Sequence, residues 1–282
     1  MIFQSPLPDH VMLYSDLFKY RPLRHESRKG ENVGPEHEFT KLIFENKALW
    51  FSTPSAFNDP FDCNICISTD RVPENLYDQA RKEFASQHPD LPMERLEAGI
   101  NAVNLNPKIF DSIFEKQRRQ IYEKSSAFCW AGSGNNISMF AYYADSHRGI
   151  CLQYRIEHRH PLGQTRAVNY ELNYPKLNYA DLVASDPGSL AKYLMFSKAK
   201  CWEHEQERRV FRYKEAAGLV NFEPSQLVRI IFGAKCPSED IELVKGWLNG
   251  WPTPVILAKA EPEDAVFTLR LIDFETAGTP PP

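Results

Sequence analysis

The chain has 282 residues, 43% of them hydrophobic and 25% charged, the composition of a globular protein able to bury a substantial core. No stretch approaches the roughly 18 apolar residues of a membrane span, and a formal net charge of −4 argues against broad polyelectrolyte binding to nucleic acid. Six cysteines are too few for a disulfide scaffold; the opening MIFQSPLPDH lacks the basic and apolar regions of a signal peptide, so a cytoplasmic location with no membrane partner is expected.

A first strand is expected over Val11 to Tyr20, ending in Lys19-Tyr20-Arg21, followed by a polar exposed loop from His25 to Gly34. A helix starts near Glu36, with Phe39, Leu42 and Ile43 spaced for one face. Ala48 to Thr53 reads as a second strand entering the loop Pro54 to Phe61. Asp62 to Ser68 alternates like a strand, with Cys63, Ile65 and Ile67 on one side. Cys63 and Cys66 form a CxxC with no second pair and no nearby histidine, so they read as free thiols rather than a metal site.

Helices are expected across residues 73 to 124, beginning at Pro73 and ending with Ile109, Ile113, Phe114 and Ile121 along one stripe. Ala127 to Trp130 is a strand and Asn136 to Asp145 a short helix, with Gly149 placed to take a left-handed turn after it. Strands follow over Ile150 to Ile156 and Ala167 to Leu172. Asp186-Pro187 marks a helix start, and that helix is expected to run to about Trp202. Strands over Arg208–Tyr213, Leu227–Phe232, Val255–Lys259 and Val266–Asp273, with a helix from Ser238 to Leu248, complete the chain. Without regular βαβ alternation, the pattern predicts an α+β fold with a mixed, mostly antiparallel sheet. It forms one domain over residues 11–274, with a helical insertion at 73–124 and a disordered proline-rich tail at 275–282.

Four segments set polar groups beside aromatic ones: Lys19-Tyr20-Arg21, Phe57 to Asp62, Met139 to Gly149, and Lys198 to Arg209. They are expected to converge on one pocket. Asn58-Asp59-Pro60 is a turn-forming triplet that serves equally as a pocket wall. Tyr142 and Tyr143 lie on opposite flanks of their helix, so at most one faces a cleft. His147 stands at a helix end, where it either bonds a carbonyl or does chemistry.

Glu205 and Glu207 lie two apart before a strand, and carboxylates so close repel unless a cation intervenes or one pKa rises. Arg209, with Lys198 or Lys200 upstream, offers that cation. The pair is then either an ion-pair ladder or a site with divided roles, one carboxylate stabilising a cationic transition state and the other orienting a nucleophile.

Through Lys19-Tyr20, Leu49-Trp-Phe-Ser52, Phe57 to Asp62, Phe140-Ala-Tyr-Tyr-Ala, His147-Arg-Gly149, Lys198, Trp202, Glu205, Glu207, Arg209 and Ile230-Ile-Phe-Gly233, the chain resembles bacterial domain-of-unknown-function family 2971. The resemblance covers about residues 14 to 235; Phe140 departs from it, standing where a tryptophan is expected. Arg21, Ser52-Thr53 and Glu205-x-Glu207 also resemble the arginine-serine-glutamate class of ADP-ribosyltransferases, although Pro54 breaks the usual Ser-Thr-Ser.

That second resemblance implies NAD as substrate, with Glu207 on the ribose 2′-hydroxyl and Glu205 positioning an acceptor. Arg21 or Lys19 would meet the pyrophosphate and Tyr143 would stack on nicotinamide. The expected site is therefore Glu207, Glu205, Tyr143 and His147 for chemistry, and Lys19, Arg21, Asn58, Asp59 and Trp202 for binding. Two other classes fit the same residues. One is a metal-dependent hydrolase or nuclease using Asp59, Asp62, His147 and the glutamates. The other is a non-enzymatic effector that binds a small ligand or a protein partner.

Overall fold

The structure is a computed structural model that describes residues 14–24, 37–67, 78, 81–82, 85–86, 88–177 and 187–278. The fold is α+β, with a mixed, mostly antiparallel sheet. Five strands form the larger sheet, in the order β1 (Tyr14–Arg21), β5 (Ile150–Glu157), β12 (Leu227–Phe232), β13 (Val255–Pro262) and β14 (Leu269–Ala277). All its pairings are antiparallel except β12 with β13, which α6 (Ser238–Trp247) connects. A second sheet orders β4 (Ser126–Trp130), β10 (Arg208–Arg212) and β6 (Arg166–Ala167). Phe18 exchanges backbone hydrogen bonds with Ala131, at 3.1 and 2.8 Å, and so ties the edge of the first sheet to the end of β4.

The main core lies between these layers. Leu17, Leu152, Tyr154, Ile230 and Leu257 from the large sheet meet Phe128 and Trp130 of β4, together with Phe51 of β2 (Ala48–Phe51) and Phe44 of α1 (Glu38–Asn46). β5 is buried on both faces over most of its length, Gln153 included, and Arg155 is its exposed residue. The expected helical insertion is represented by α2 (Glu94–Leu105) and α3 (Pro107–Lys124). Leu96, Ile100, Phe114 and Ile121 pack there with Leu190 and Leu194 of α5 (Pro187–Met195), so these helices build a core of their own.

Several expectations need correction. The helix from Pro187 ends at Met195, because Ser197–Ala199 (β9) pairs in parallel with Asn169–Glu171 (β7) and tertiary pairing overrides local helical pattern. Of the alternating run Asp62 to Ser68, the described residues 62–67 form a strand at Cys66–Ile67 (β3). Asp62 accepts a hydrogen bond from Cys63 N at 2.6 Å, and Cys63 has φ 55°, so side-chain turn chemistry wins over alternation. Gly149 is not left-handed. It is needed because a Cβ there would lie 2.3 Å from the Arg21 carbonyl oxygen. β14 runs to Ala277, so residues 275–277 belong to the sheet and not to a tail.

Phe39 is exposed on α1, which buries Thr40, Ile43 and Phe44 instead. A short strand missed by the sequence reading, β11 (Gly218–Asn221), pairs with β2. Residues 11–13, the loop 25–34, the helix start at Pro73 and residues 279–282 lie outside the described residues.

Candidate functional site

A cavity of about 300 Å³ opens between β1, β4, the loop after β2 and the segment 198–207. Each wall has a local cause. Lys19 and Arg21, two apart at the end of β1, share a side of the strand. Lys19 Nζ donates to the Cys129 carbonyl at 2.9 Å and sits 4.5 Å from the Phe128 ring centre. Burial, reinforced by the neighbouring Arg21, holds its pKa below the ordinary lysine value. Arg21 makes no ion pair among the described residues, its Nε is buried without a partner, and burial lowers its pKa too.

The opposite wall is built from carboxylates. Lys200–Glu205 form a 3₁₀ helix, Gln206 turns through φ 48°, and β10 begins at Arg208. This reversal, not a continued strand period, turns Glu205 and Glu207 toward one ammonium. Lys198 Nζ donates to Glu205 at 2.5 Å and to Glu207 at 2.9 Å, with Asp62 at 3.7 Å. Arg209, fully buried, reaches Glu207 at 2.5 Å and Asp62 at 2.6 Å. Three carboxylates are thus held by two cations away from water.

Burial alone would raise the Glu207 pKa, but Arg209 and Lys198 outweigh it and hold the group well below the carboxylate range. Burial likewise opposes the charge on Lys198, and Glu207 and Glu205 overcome it, keeping the ammonium protonated. Both glutamates are only 4% exposed. The ion pairs expected with Lys198 and Arg209 do form, in the wall of a cavity and not on an open surface.

α4 (Ile137–Tyr143) supplies the third wall. Asn136 caps it by accepting from Met139 N at 3.1 Å, and its amide donates to the His204 carbonyl at 2.6 Å, fixing α4 against the glutamate segment. Tyr143 faces the cavity and donates to Glu205 Oε1 at 2.7 Å, while Tyr142 is exposed. Burial and then Glu205 raise the Tyr143 pKa, so it is a neutral donor. Asn58 donates to its hydroxyl at 3.5 Å across the mouth. Phe18, Trp50, Phe57, Phe128 and Met139 complete the lining.

Of the expected residues, Glu207, Glu205, Tyr143, Lys19, Arg21 and Asn58 line this cavity together. Three do not. His147 lines a different cavity, because three left-handed residues, Asp145 to His147, swing it away from Tyr143. Asp59 closes the turn by accepting from Phe61 N at 2.9 Å, and Asp62 lines the wall instead. Trp202 stands off the lining, with its ring centre 5.2 Å from Lys198 Nζ.

Sequence reasoning overlooked Cys129, and Trp50, whose place on strand β2 between the buried Leu49 and Phe51 was a usable period-two signal. Among the described residues no three His, Cys, Asp or Glu side chains are grouped as metal ligands. Asp62, Glu205 and Glu207 turn their oxygens on Lys198 and Arg209 instead. No helix among the described residues is long and apolar enough to cross a membrane. Comparison of the chain with protein-family models, with curated proteins and with solved structures finds no match.

Proposed function

We propose that this cavity is the active site of an ADP-ribosyltransferase-like enzyme that uses NAD as substrate. The observation that carries the reading is the opposition, across one aromatic-walled cavity, of two glutamates to two cations that have no carboxylate partner among the described residues. Breaking the nicotinamide–ribose bond builds positive charge on the sugar, which a carboxylate kept ionised by Arg209 and Lys198 stabilises. Glu205, bonded among the described residues to Tyr143 and Lys198, retains lone pairs for a hydroxyl. Arg21 and Lys19 suit a phosphate, and Phe57, Trp50 and Tyr143 offer faces for a planar ring. A volume of about 300 Å³ is at the small end of ligand sites, so it suits the nicotinamide–ribose end with the remainder of NAD at the mouth.

Release of nicotinamide from NAD tests this. Glu205→Gln should slow release by about 100-fold or more while the far-ultraviolet circular dichroism of the folded protein is unchanged. No release by the parent, with no thermal stabilisation in NAD, overturns the proposal.

A second reading is favoured by the saturation of Glu207, which already accepts from Lys198 Nζ and from Arg209 Nε and Nη2. On that reading the cavity binds a ligand without turnover. Stabilisation by NAD with no nicotinamide released distinguishes it.

A further inference from the structure

A second cavity, of about 550 Å³, lies across α4 from the first. Ile137 and the post-helical His147 line it, whereas Met139 and Tyr143 line the other. Its far wall is the tip of the β13–β14 hairpin, where Val266 and Phe267 are exposed, Phe267 completely. Ligand sites are concave and mostly apolar, and these side chains give this cavity that character.

The near wall is strained and rigidly held. Asp145, Ser146 and His147 are successive non-glycine residues at φ 45°, 52° and 71°, a conformation that persists only where surroundings enforce it and that gathers at ligand clamps. His147 N donates to the Phe140 carbonyl at 3.1 Å, and the His147 carbonyl accepts from Lys235 N at 2.9 Å. A Cβ on Gly233 would lie 2.2 Å from that same carbonyl oxygen, so only glycine admits the approach. The imidazole stacks on Phe140, with centroids 5.7 Å apart and planes 17° apart, and its Nδ1 is buried without a partner.

Burial, and then Lys235, hold the His147 pKa below its ordinary value, so the ring is neutral at neutral pH. The exposed Lys235 ammonium makes no ion pair among the described residues. Glu263 also lines the cavity and disfavours ligands with several negative charges.

We propose that this cavity binds a small organic acid with a single carboxylate on an apolar body. The carboxylate pairs with Lys235, and the body lies between Ile137, Val266 and Phe267. The site stands on its own observations and does not depend on the reaction in the first cavity.

Octanoate is the probe, titrated calorimetrically into the full chain. One-to-one saturable binding is expected, weakening about fourfold for each methylene removed from the acid. Lys235→Glu and Phe267→Ala should each weaken it at least tenfold with unchanged melting temperatures, while Glu205→Gln leaves it unaltered. Absence of saturable binding overturns the proposal. So does binding indifferent to both Lys235→Glu and Phe267→Ala, or abolished by Glu205→Gln, which would place octanoate in the first cavity.

Discussion

Arg209 donates to Glu207 and Asp62 and to the Met195 carbonyl, and does so from a position with no solvent exposure. Taking such charges out of water is costly, and the cost is offset only while every partner stays in place. Replacing Arg209 with methionine leaves two buried carboxylates short of a cation, and should cost about 3–5 kcal/mol. Because the folded Glu207 pKa lies below its unfolded value of about 4.3, its contribution is full above that value and fades as pH falls through the folded one. Urea unfolding at pH 7 and pH 3 should show the parent losing stability in acid, and the Arg209→Met protein losing much less from its lower starting point. The sequence carried the raw terms of this cluster: the spacing of Glu205 and Glu207, the need for a cation and the candidates Lys198 and Arg209. It set Asp62 beside the glutamates only as a metal ligand and missed its pairing with Arg209, because that contact spans 147 residues of chain.

At the scale of elements, α4 shows what local signals reveal and hide. Its start was placed within one residue, and the structure shows Asn136 capping it while the same side chain also holds the His204 carbonyl. Asn136→Ala should therefore cost about 1–2 kcal/mol, the upper part of the range for a cap, and should loosen the Tyr143–Glu205 contact. Thermal melts report the first effect, and a rise in hydrogen exchange across residues 203–207 the second. The end of α4 was not legible, since nothing in Asp145-Ser-His147 announces three left-handed residues. That turn is imposed by Gly149 and Gly233, whose missing side chains let distant backbone approach. The helix after Pro187 was overextended for a related reason: Ser197–Ala199 is claimed by β7, a neighbour that a local window does not contain.

For the molecule as a whole, the class was readable from the irregular mixture of strands and helices, whereas the sheet order was not. Strand order depends on pairings such as β1 with β5, which join residues more than 100 positions apart. β5 and β12 lie inside the sheet and are almost entirely buried, while β14 is an edge with mostly exposed side chains. Native-state hydrogen exchange should be slowest at residues 150–156 and 229–232, approaching the global unfolding free energy, and faster by orders of magnitude on the outward amides of 269–277. Equal protection on β5 and β14 would contradict this topology.

The two walls of the first cavity carry opposite charge, with Lys19 and Arg21 on β1 and Glu205 and Glu207 on the segment facing it. Between them stretches a region walled in part by aromatic rings, where an electric field is screened less than in bulk water. A molecule with separated positive and negative ends feels a torque there before it touches any side chain. It is turned anionic end toward β1 during approach, so one orientation is selected in the encounter itself. Salt, by shortening the range of that field at the mouth, should slow productive entry more than it weakens the final contacts.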